Sequence, residues 1–386
     1  MSHTLHRLET KLIHSGEPKP RIQGAISMPI FQSATFEYRG EASYDHLKYL
    51  RLSNTPNHIA LHQKLVALEA GEAALVTSSG MAAISTTLLS CLRTGDHLLA
   101  QDCLYGGTYG LITQDFSHLG VGFNFIDGND PESWKELLQT NTRVIYVEAL
   151  TNPLIQMADL DAIVSFSKEH GLISVIDNTF TSPVNFRPLL RGFDLSLHSG
   201  TKYLNGHSDI VAGAVIGSTK LIKRITQKLN HLGGSLDPHA AFLLHRGIKT
   251  LALRVKTQNQ SALKVAQFLR SHPAVAKVNY PGLKDHPHHN RATQLFDGYG
   301  GMLSFELHSG LNGAEHVLKS VLLPINAPSL GGVESLITRP AATSHSGLSK
   351  NERQKAGISD GLIRLSVGIE AVDDLIQDLH AALEEI

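Results

Sequence analysis

Two short apolar segments, residues 172–176 and 193–197, constrain the fold of this chain most. Both are too short for a typical helix and contain the β-branched and large apolar side chains that are typical of buried strands. The first leads into Asp177, and the second leads into a polar run that contains Lys202. Because ligands bind at the carboxyl ends of strands in α/β sheets, we expect both side chains to lie in a site at such an edge.

An aspartate and a lysine at neighbouring strand ends suit pyridoxal phosphate (PLP). A lysine amine can form a Schiff base with the aldehyde of this cofactor, and a buried carboxylate can keep its pyridine nitrogen protonated. Ser199 and Thr201 add hydroxyl groups beside Lys202 that are suitable for phosphate oxygens. Taken singly, Asp177 could be a turn residue and Lys202 a surface lysine, since these are the commoner positions of both residue types.

Length and composition narrow the class of protein. A chain of 386 residues exceeds one ordinary hydrophobic core, so two domains are expected. With 34 basic and 35 acidic residues, the sequence gives no reason to expect nucleic acid or an anionic membrane as a partner. Two cysteines are too few for a disulfide framework, and no apolar window approaches the ~18 residues of a membrane span. We therefore expect a cytoplasmic enzyme, and since the 22 histidines lack metal-ligand spacing, no metal site.

The amino-acid sequence around the lysine indicates a particular protein family more specifically than the pattern of strands does. Residues 177–180, DNTF, and residues 198–209, HSGTKYLNGHSD, closely resemble the Cys/Met-metabolism family of PLP enzymes. This family includes cystathionine γ-synthase, cystathionine γ-lyase, cystathionine β-lyase and methionine γ-lyase. The resemblance covers nearly the whole chain and implies an α/β fold of the aspartate-aminotransferase type, called fold type I. A large cofactor domain with a mostly parallel sheet would precede a smaller C-terminal α+β domain.

The same resemblance implies the domain organisation. We expect residues 1–45 to form an extended arm without a core of its own, residues 46–240 to form the PLP-binding domain, and residues 241–386 to form the C-terminal domain. A long helical region over residues 239–271 is expected to bridge the two domains. In the resembled family the arm packs on a neighbouring subunit, so a homo-oligomer, a dimer or a tetramer, is expected.

Further cofactor contacts are implied by the resemblance. Gly80 and Met81 begin an apolar helix and match a phosphate loop, where main-chain N–H groups and the helix dipole bind phosphate. Tyr105 matches a tyrosine that stacks on the pyridine ring, and it is a candidate for assisting proton transfer. Tyr49 and Arg51 match a Tyr-x-Arg motif that reaches the cofactor phosphate of a partner subunit.

Substrate contacts are implied in the same way. Asn152 matches an asparagine that contacts the cofactor hydroxyl and the substrate carboxylate, and Ser329 begins a Ser-Leu-Gly-Gly turn that lines the substrate site. Arg364 matches the arginine that binds the α-carboxylate. Because it lies in an apolar strand, it needs a buried anionic partner, and a structural salt bridge is the alternative. Lys48 stands where some γ-lyases have glutamate, which predicts a substrate with an anionic distal group.

The resemblance indicates chemistry at the γ-carbon, with Lys202 as the base that takes the Cα proton. β-Lyases typically have aromatic residues around the turn that here contains Leu330 and Val333, and methionine γ-lyases usually have cysteine where this chain has Gly107. Pro328 replaces a glutamate that several γ-enzymes have. We expect cystathionine γ-synthase or γ-lyase activity. The alternatives are cystathionine β-lyase, O-acylhomoserine sulfhydrylase and, more distantly, an aminotransferase.

Overall fold

The structure, a computed structural model, describes residues 6–386, apart from the side chain of Asp45. Its strands form two β-sheets, a sheet of seven strands followed in the chain by a sheet of five. Helices cover these sheets, so the predicted α/β architecture with a large, mostly parallel sheet and a smaller second sheet is confirmed. No helix within residues 6–386 is long and apolar enough to cross a membrane.

The large sheet carries the strands whose ends were predicted to form the site. Its spatial order is β1-β7-β6-β5-β4-β2-β3; strands β2 to β6 run parallel, and β7 runs antiparallel to β6 and β1. Its strands are β1 (Ala73–Thr77), β2 (His97–Gln101), β3 (Gly122–Ile126), β4 (Thr142–Glu148), β5 (Ile173–Asp177), β6 (Leu195–Ser199) and β7 (Gly213–Gly217). Apolar side chains pack on both faces of this sheet, which explains the continuous apolar runs of its strands.

The small sheet is mostly antiparallel and has the order β10-β11-β12-β9-β8. Its strands are β8 (Val275–Asn279), β9 (Met302–Leu307), β10 (Ile325–Asn326), β11 (Leu336–Thr338) and β12 (Ile363–Ser366). A separate cluster of buried apolar side chains joins it to the helices that flank it.

The helices alternate with the strands of the large sheet and flank the small one. They are α1 (Leu8–His14), α2 (Pro56–Glu69), α3 (Gly80–Cys91), α4 (Gly106–Gly110), α5 (Pro131–Leu137), α6 (Leu160–Glu169), α7 (Ser182–Asn185), α8 (Thr219–Leu232), α9 (Pro238–Ile248), α10 (Leu251–Ser271), α11 (His289–Leu295), α12 (Gly310–Ser320), α13 (Lys350–Lys355) and α14 (Val372–Glu384). Single helical turns lie at Ile22–Gly24, Tyr44–His46, Leu50–Leu52, Pro188–Arg191 and Pro340–Ala342, and a π-helical turn, Leu111–Phe116, continues α4.

The predicted long helical region over residues 239–271 is confirmed, and it consists of two helices, α9 and α10, separated by a short break. The guanidinium group of Arg254, on α10, donates hydrogen bonds to the carbonyl oxygens of Gly247 at 2.9 Å and Tyr203 at 2.8 Å. Gly247 lies at the end of α9, where carbonyl groups lack partners within the helix. This buried arginine therefore donates a hydrogen bond to a carbonyl oxygen at the break between the two helices.

The prediction of an extended N-terminal arm is wrong for residues 8–14, which form helix α1. Leu12 on this helix is 1% exposed and belongs to the largest apolar cluster of the protein. The buried amine of Lys64, on α2, donates to the Leu12 carbonyl oxygen at 2.7 Å. This part of the arm thus packs on the core of its own chain.

Candidate active site

A cavity of about 620 Å³ opens at the carboxyl ends of β4, β5 and β6, and the turn before β11 closes it on the side of the small sheet. Most of the residues predicted from the sequence line this cavity. They are Gly80, Met81, Tyr105, Asn152, Asp177, Ser199, Thr201, Lys202, Ser329 and Arg364.

Three predicted residues, Lys48, Tyr49 and Arg51, do not line this cavity. Arg51 instead donates from Nη1 to the Asn230 carbonyl oxygen at 2.7 Å and from Nη2 to the Tyr44 hydroxyl group. The exposed side chain of Lys48 lies with Nζ 5.9 Å from the centroid of the Phe36 ring. Their predicted contacts with cofactor and substrate therefore need a second copy of the chain, and these contacts stay predictions.

Asp177 is the last residue of β5, and its carboxyl group faces the cavity. Its Oδ1 accepts a hydrogen bond from the Thr179 N–H at 2.9 Å, while Thr179 Oγ1 accepts from the Ser199 N–H at 2.8 Å. Burial raises the pKa of Asp177, although the hydrogen bonds from Thr179 and the charge of His198 act in the opposite direction. A protonated pyridine nitrogen would supply the counter-charge that this carboxylate lacks.

A buried pair lies behind Asp177 and was missed in the sequence. His198 Nε2 lies 2.5 Å from Glu69 Oε1, and the Asn178 amide donates to the same oxygen at 3.1 Å. Glu69 is the last residue of α2, so it joins this helix to the residues that end β5 and β6. No local pattern in the sequence signals a contact between residues 129 positions apart.

Lys202 lies in the turn that follows β6 and points its amine into the cavity, where Nζ donates to Ser329 Oγ at 2.7 Å. Its main-chain N–H donates to the Ser199 carbonyl oxygen at 3.1 Å, which fixes the turn. Burial, helped by the positive charge of Arg364, lowers the pKa of Lys202 from 10.5 to about 8. At pH 7 about one tenth of this amine is therefore unprotonated and nucleophilic, far more than for an ordinary lysine.

Arg364, in β12, is 4% exposed and reaches the same wall of the cavity. Its Nη1 donates to Asn152 Oδ1 at 3.0 Å and its Nη2 to the Ser329 carbonyl oxygen at 2.8 Å. Neither of these hydrogen bonds provides the expected anionic partner, since both acceptors are neutral. Burial lowers the pKa of Arg364 to about 10, so the guanidinium group keeps its charge at neutral pH and can bind a carboxylate.

Ser329 connects these two cations and has an unusual backbone. Its φ angle is +93°, a conformation that residues with a side chain rarely adopt. The side-chain oxygen accepts from Lys202 and the carbonyl oxygen from Arg364. Strained backbone is often found at binding sites, where surrounding contacts hold it in place.

The start of α3 forms a cradle for an anion. Ser79 caps this helix by accepting the Ala82 N–H at 3.0 Å, and within the described part of the chain the N–H groups of Gly80 and Met81 have no hydrogen-bond acceptor. A Cβ atom at Gly80 would lie only 2.9 Å from Ser199 Cβ, so the backbone approaches β6 closely because residue 80 is glycine. A phosphate group suits this cradle, since the N–H groups and the helix dipole favour negative charge.

The residues of the cavity thus provide the types of chemical group that bind PLP. Asp177 suits a pyridinium nitrogen, the Lys202 amine suits an aldehyde, and the start of α3 suits a phosphate group. Tyr105, 42% exposed, lies at the cavity with an aromatic face available for stacking.

Glu148 also lines the cavity and was not recognised in the sequence. It is the last residue of β4, and its Oε1 accepts the Tyr105 N–H at 2.6 Å. A signal was present, because Glu148 ends a predicted strand just as Asp177 does. The sequence did not show that the two strands are neighbours with these residues in register.

Comparisons with known proteins identify the family of this chain. Residues 9–384 match the model of the Cys/Met metabolism PLP-dependent enzyme family. The chain is 41% identical over 379 residues to cystathionine β-lyase from Coxiella burnetii, which covers 97% of both chains, and 41% identical over 379 residues to cystathionine γ-lyase from Bacillus subtilis, which covers 98% of this chain and 99% of the relative. The crystal structure of cystathionine γ-lyase from Lactobacillus plantarum complexed with L-serine superimposes with a TM-score of 0.94, at 39% identity and 99% coverage of both chains.

These similarities extend over the whole described fold, and they confirm PLP as the cofactor and the predicted type of fold. Relatives named for elimination at the β-carbon and at the γ-carbon match the chain equally well. The chain therefore belongs to the Cys/Met metabolism family of PLP-dependent enzymes and is an enzyme of the transsulfuration lyase type.

Proposed function

We propose that this protein cleaves L-cystathionine between Cγ and sulfur and, with uptake of one water molecule, releases L-cysteine, 2-oxobutyrate and ammonia. The observation that carries this proposal is the arrangement of Lys202 and Arg364, which line one cavity and both contact Ser329. One is an amine with a pKa of about 8, and the other is a buried guanidinium group whose hydrogen-bond acceptors are neutral. A base beside a carboxylate receptor suits an α-amino acid substrate.

Arg364 is proposed to bind the α-carboxylate of the substrate. Its two terminal nitrogens present the fork that matches a carboxylate through parallel hydrogen bonds. Asn152 Oδ1 and the Ser329 carbonyl oxygen hold this fork in place before the substrate arrives. Such preorganisation lowers the entropy lost on binding, and the amino acid named in the Lactobacillus plantarum complex, L-serine, carries the same carboxylate group.

Lys202 is proposed to move protons at the substrate carbons. Bound PLP supplies an electron-withdrawing ring that stabilises negative charge at these carbons. The unprotonated amine accepts the proton from Cα, and Ser329 Oγ can then accept a hydrogen bond from the protonated amine. Elimination at Cγ also requires loss of a proton from Cβ, which lies within reach of the same flexible side chain because Cβ is bonded to Cα. The amine would accept this second proton only after passing the first on to the bound cofactor.

Asp177 and Tyr105, which both line the cavity, are proposed to support this chemistry. The Asp177 carboxylate stabilises the positive charge of a protonated ring nitrogen, and Ser199 and Thr201 contribute hydroxyl groups near the phosphate. The Tyr105 ring, which is 42% exposed at the cavity, would stack on the cofactor ring and exclude water, and its hydroxyl group would donate a proton to the departing sulfur.

The residues around Ser329 favour cleavage at the γ-carbon. Pro328 and Leu330 line the cavity on either side of it, and neither provides the aromatic ring that is typical of β-lyases at this turn. Cleavage on the other side of sulfur, which yields homocysteine, pyruvate and ammonia, is the second candidate. It is supported by the relative from Coxiella burnetii, which is named a β-lyase and is as similar as the γ-lyase from Bacillus subtilis.

The keto acid released from L-cystathionine tests this proposal. We expect the PLP-loaded protein to form 2-oxobutyrate, identified by chromatography of its hydrazone, and the Lys202→Ala protein to form none. Pyruvate as the main product would overturn the γ assignment and establish the second candidate. If neither keto acid forms, an assay with O-acylhomoserine and either cysteine or sulfide would test the synthase and sulfhydrylase activities.

We also propose that the active protein is a homo-oligomer in which Tyr49 and Arg51 of one copy complete the site of another. In its own chain Arg51 lies away from the cavity, and the cavity-lining cations are Lys202 and Arg364. A phosphate dianion at the start of α3 would therefore gain a guanidinium partner from a second copy.

Mixing two inactive variants tests the shared site. Arg51→Ala and Lys202→Ala proteins, unfolded together and refolded, should regain turnover that neither shows alone, because a mixed dimer contains one intact site. No regained turnover in a mixture shown to contain mixed dimers would contradict the shared site.

In the active oligomer, Lys48→Glu should weaken the preference for substrates with an anionic distal group, as measured by kcat/KM on two substrates. An unchanged preference would contradict the role of Lys48.

A further inference from the structure

Two carboxyl groups lie side by side at the cavity, with Glu148 buried and Asp177 partly exposed. Glu148 and Asp177 are the last residues of the parallel neighbours β4 and β5, and their Cα atoms are paired in register. Both line the cavity. The side-chain interactions that Glu148 makes are with main-chain atoms, since its Oε1 accepts from the Tyr105 N–H at 2.6 Å.

The two groups differ in what holds them. Asp177 receives a hydrogen bond from Thr179, lies near His198, and faces the place proposed for a pyridinium nitrogen. Glu148 is 5% exposed and, within residues 6–386, forms no ion pair with a lysine, arginine or histidine. Two adjacent carboxyl groups do not both ionise readily when solvation is poor, because the second charge is repelled by the first.

We propose that Glu148 is a positioning residue of this site, whose carboxyl group holds the main chain at Tyr105 and so sets the Tyr105 ring against the cofactor. The inference rests on the proposed role of Tyr105. Tyr105 immediately precedes α4 and has no side-chain cap at this helix start. The bond to Glu148 therefore connects the loop after β2 to the end of β4, next to Asp177.

Glu148 can do this as an uncharged acid, which leaves Asp177 as the carboxylate that matches the cofactor. Burial and the charge of Asp177 raise the pKa of Glu148 well above its usual range, and the N–H groups of Tyr105 and Asn152 only partly oppose this. Of the other titratable groups nearby, His198 on β6 lowers the pKa of Asp177. The two carboxyl groups contribute to raising the pKa of Tyr146 on β4, and Glu148 contributes to raising that of Cys103 in the loop after β2.

Two substitutions distinguish the role of Glu148 as a hydrogen-bond acceptor from the role of its charge. Glu148→Gln keeps an uncharged oxygen that can accept the Tyr105 N–H, whereas Glu148→Ala removes the acceptor. We expect the Gln variant to bind PLP within about threefold of the wild-type affinity and the Ala variant to lose about tenfold or more, as one buried main-chain hydrogen bond implies. Affinity is measured by fluorescence titration of the apo-protein, and thermal melting of each apo-protein controls for folding.

A double-mutant cycle shows whether Glu148 acts through Tyr105. If it does, Glu148→Ala should lower kcat on L-cystathionine about tenfold in the wild-type chain and hardly at all in a Tyr105→Ala chain. Equal losses in both chains would overturn the inference, because Glu148 would then act independently of the ring.

The visible absorbance of the bound cofactor tests the protonation state. The midpoint of its pH titration should be the same in the Gln variant as in the wild type, since an uncharged group replaces an uncharged group. A midpoint shifted by a full pH unit, or a Gln variant as impaired as the Ala variant, would overturn the inference. PLP affinity and absorbance are measured without substrate, so they test Glu148 even if L-cystathionine is not cleaved and the proposed function fails.

Discussion

Two buried groups of charged side chains, one around Glu17 and one around the cofactor cavity, are neutralised in different ways. Glu17 lies 2.6 Å from Arg21 Nη1 and 2.6 Å from Lys249 Nζ. Lys64 Nζ and His245 Nε2 lie 4.0 and 3.6 Å from the same carboxylate. These contacts join the segment after α1 to α2 and to the region around the end of α9, so this charge cluster serves the fold.

Within residues 6–386, the ionisable groups that line the cavity form no such ion pairs with one another or with neighbouring side chains. Lys202 and Arg364 donate to neutral oxygens, and the carboxyl groups of Asp177 and Glu148 accept from main-chain N–H groups. Buried charges without counter-charges lower the stability of the folded state, and a ligand of complementary charge restores it. Substitutions in the two clusters should therefore affect stability and activity in opposite ways.

Lys202→Met should have the largest effect on activity. Turnover of L-cystathionine should fall at least about 10³-fold, since the variant lacks both the nucleophile and the base. The apo-protein should become more stable at pH 7 by about 1–3 kcal/mol, because the cavity holds the pKa of Lys202 at about 8 instead of 10.5 and this costs stability below pH 8.

Urea unfolding of the apo-protein and the keto acid assay measure both effects of Lys202→Met. Lys223→Met is the matched control, because it makes the same chemical change at an exposed position of α8 and should alter neither quantity strongly. A Lys202→Met apo-protein that is less stable than the wild type would contradict the idea that the free cation strains the cavity.

Arg364→Met should lower kcat/KM for L-cystathionine about 10²- to 10⁴-fold, because two charge-assisted hydrogen bonds to the substrate carboxylate are lost. Arg364→Lys should lose less, since it keeps the charge but not the fork. A cystathionine analogue with an amide in place of the α-carboxylate provides the control, because the wild type and Arg364→Met should then differ little. A large difference with the amide would show that Arg364 does not act through the carboxylate.

Glu17→Gln should show the opposite behaviour. We expect a loss of about 3–5 kcal/mol in the free energy of unfolding, because the buried Lys64 loses its counter-charge. Turnover per PLP-loaded molecule should be unchanged, since Glu17 lies outside the cavity. Urea unfolding compares this variant with Glu136→Gln, at an exposed position of α5, and equal stability of the two would contradict the proposed role of the cluster.

The pH dependence of stability sharpens this expectation. Burial alone would raise the pKa of Glu17, but the hydrogen bond from Lys249 and the neighbouring positive charges bring it below its ordinary value of 4.5. The stabilisation is therefore complete above about pH 4.5 and is lost as the pH falls through the lower pKa of the folded state. The Glu17→Gln protein should lack this part of the acid-induced loss of stability.

The sequence predicted the parts of this site that depend on local patterns. Short apolar runs that end in polar residues identified the ends of β5 and β6, and with them Asp177 and Lys202. The contact between Lys202 and Ser329, 127 residues apart, was not predictable from local pattern, because it depends on how the small sheet packs against the large one.

The predictions failed where tertiary contacts decide local structure. Helix α1 has only seven residues and no side-chain cap, so nothing local marks it, and burial of Leu12 and the bond from Lys64 stabilise it. No proline in the sequence marks the break between α9 and α10. The buried guanidinium group of Arg254 donates a hydrogen bond to a carbonyl oxygen there. Glu148 was missed because neither strand's own sequence shows the register in which β4 pairs with β5.

The smallest expected effect tests whether the unpaired charges of the cavity act on each other. The rate at which the apo-protein binds PLP covalently should rise with pH around a midpoint near 8, because only the unprotonated Lys202 amine reacts. Burial is the main cause of the lowered pKa of Lys202, and the charge of Arg364 adds to it. Arg364→Met should therefore move the midpoint upward, by less than about one pH unit, whereas Arg364→Lys should leave it nearly unchanged. Stopped-flow absorbance measures these rates, and a midpoint that stays in place or falls in Arg364→Met would mean that burial alone sets the reactivity of Lys202.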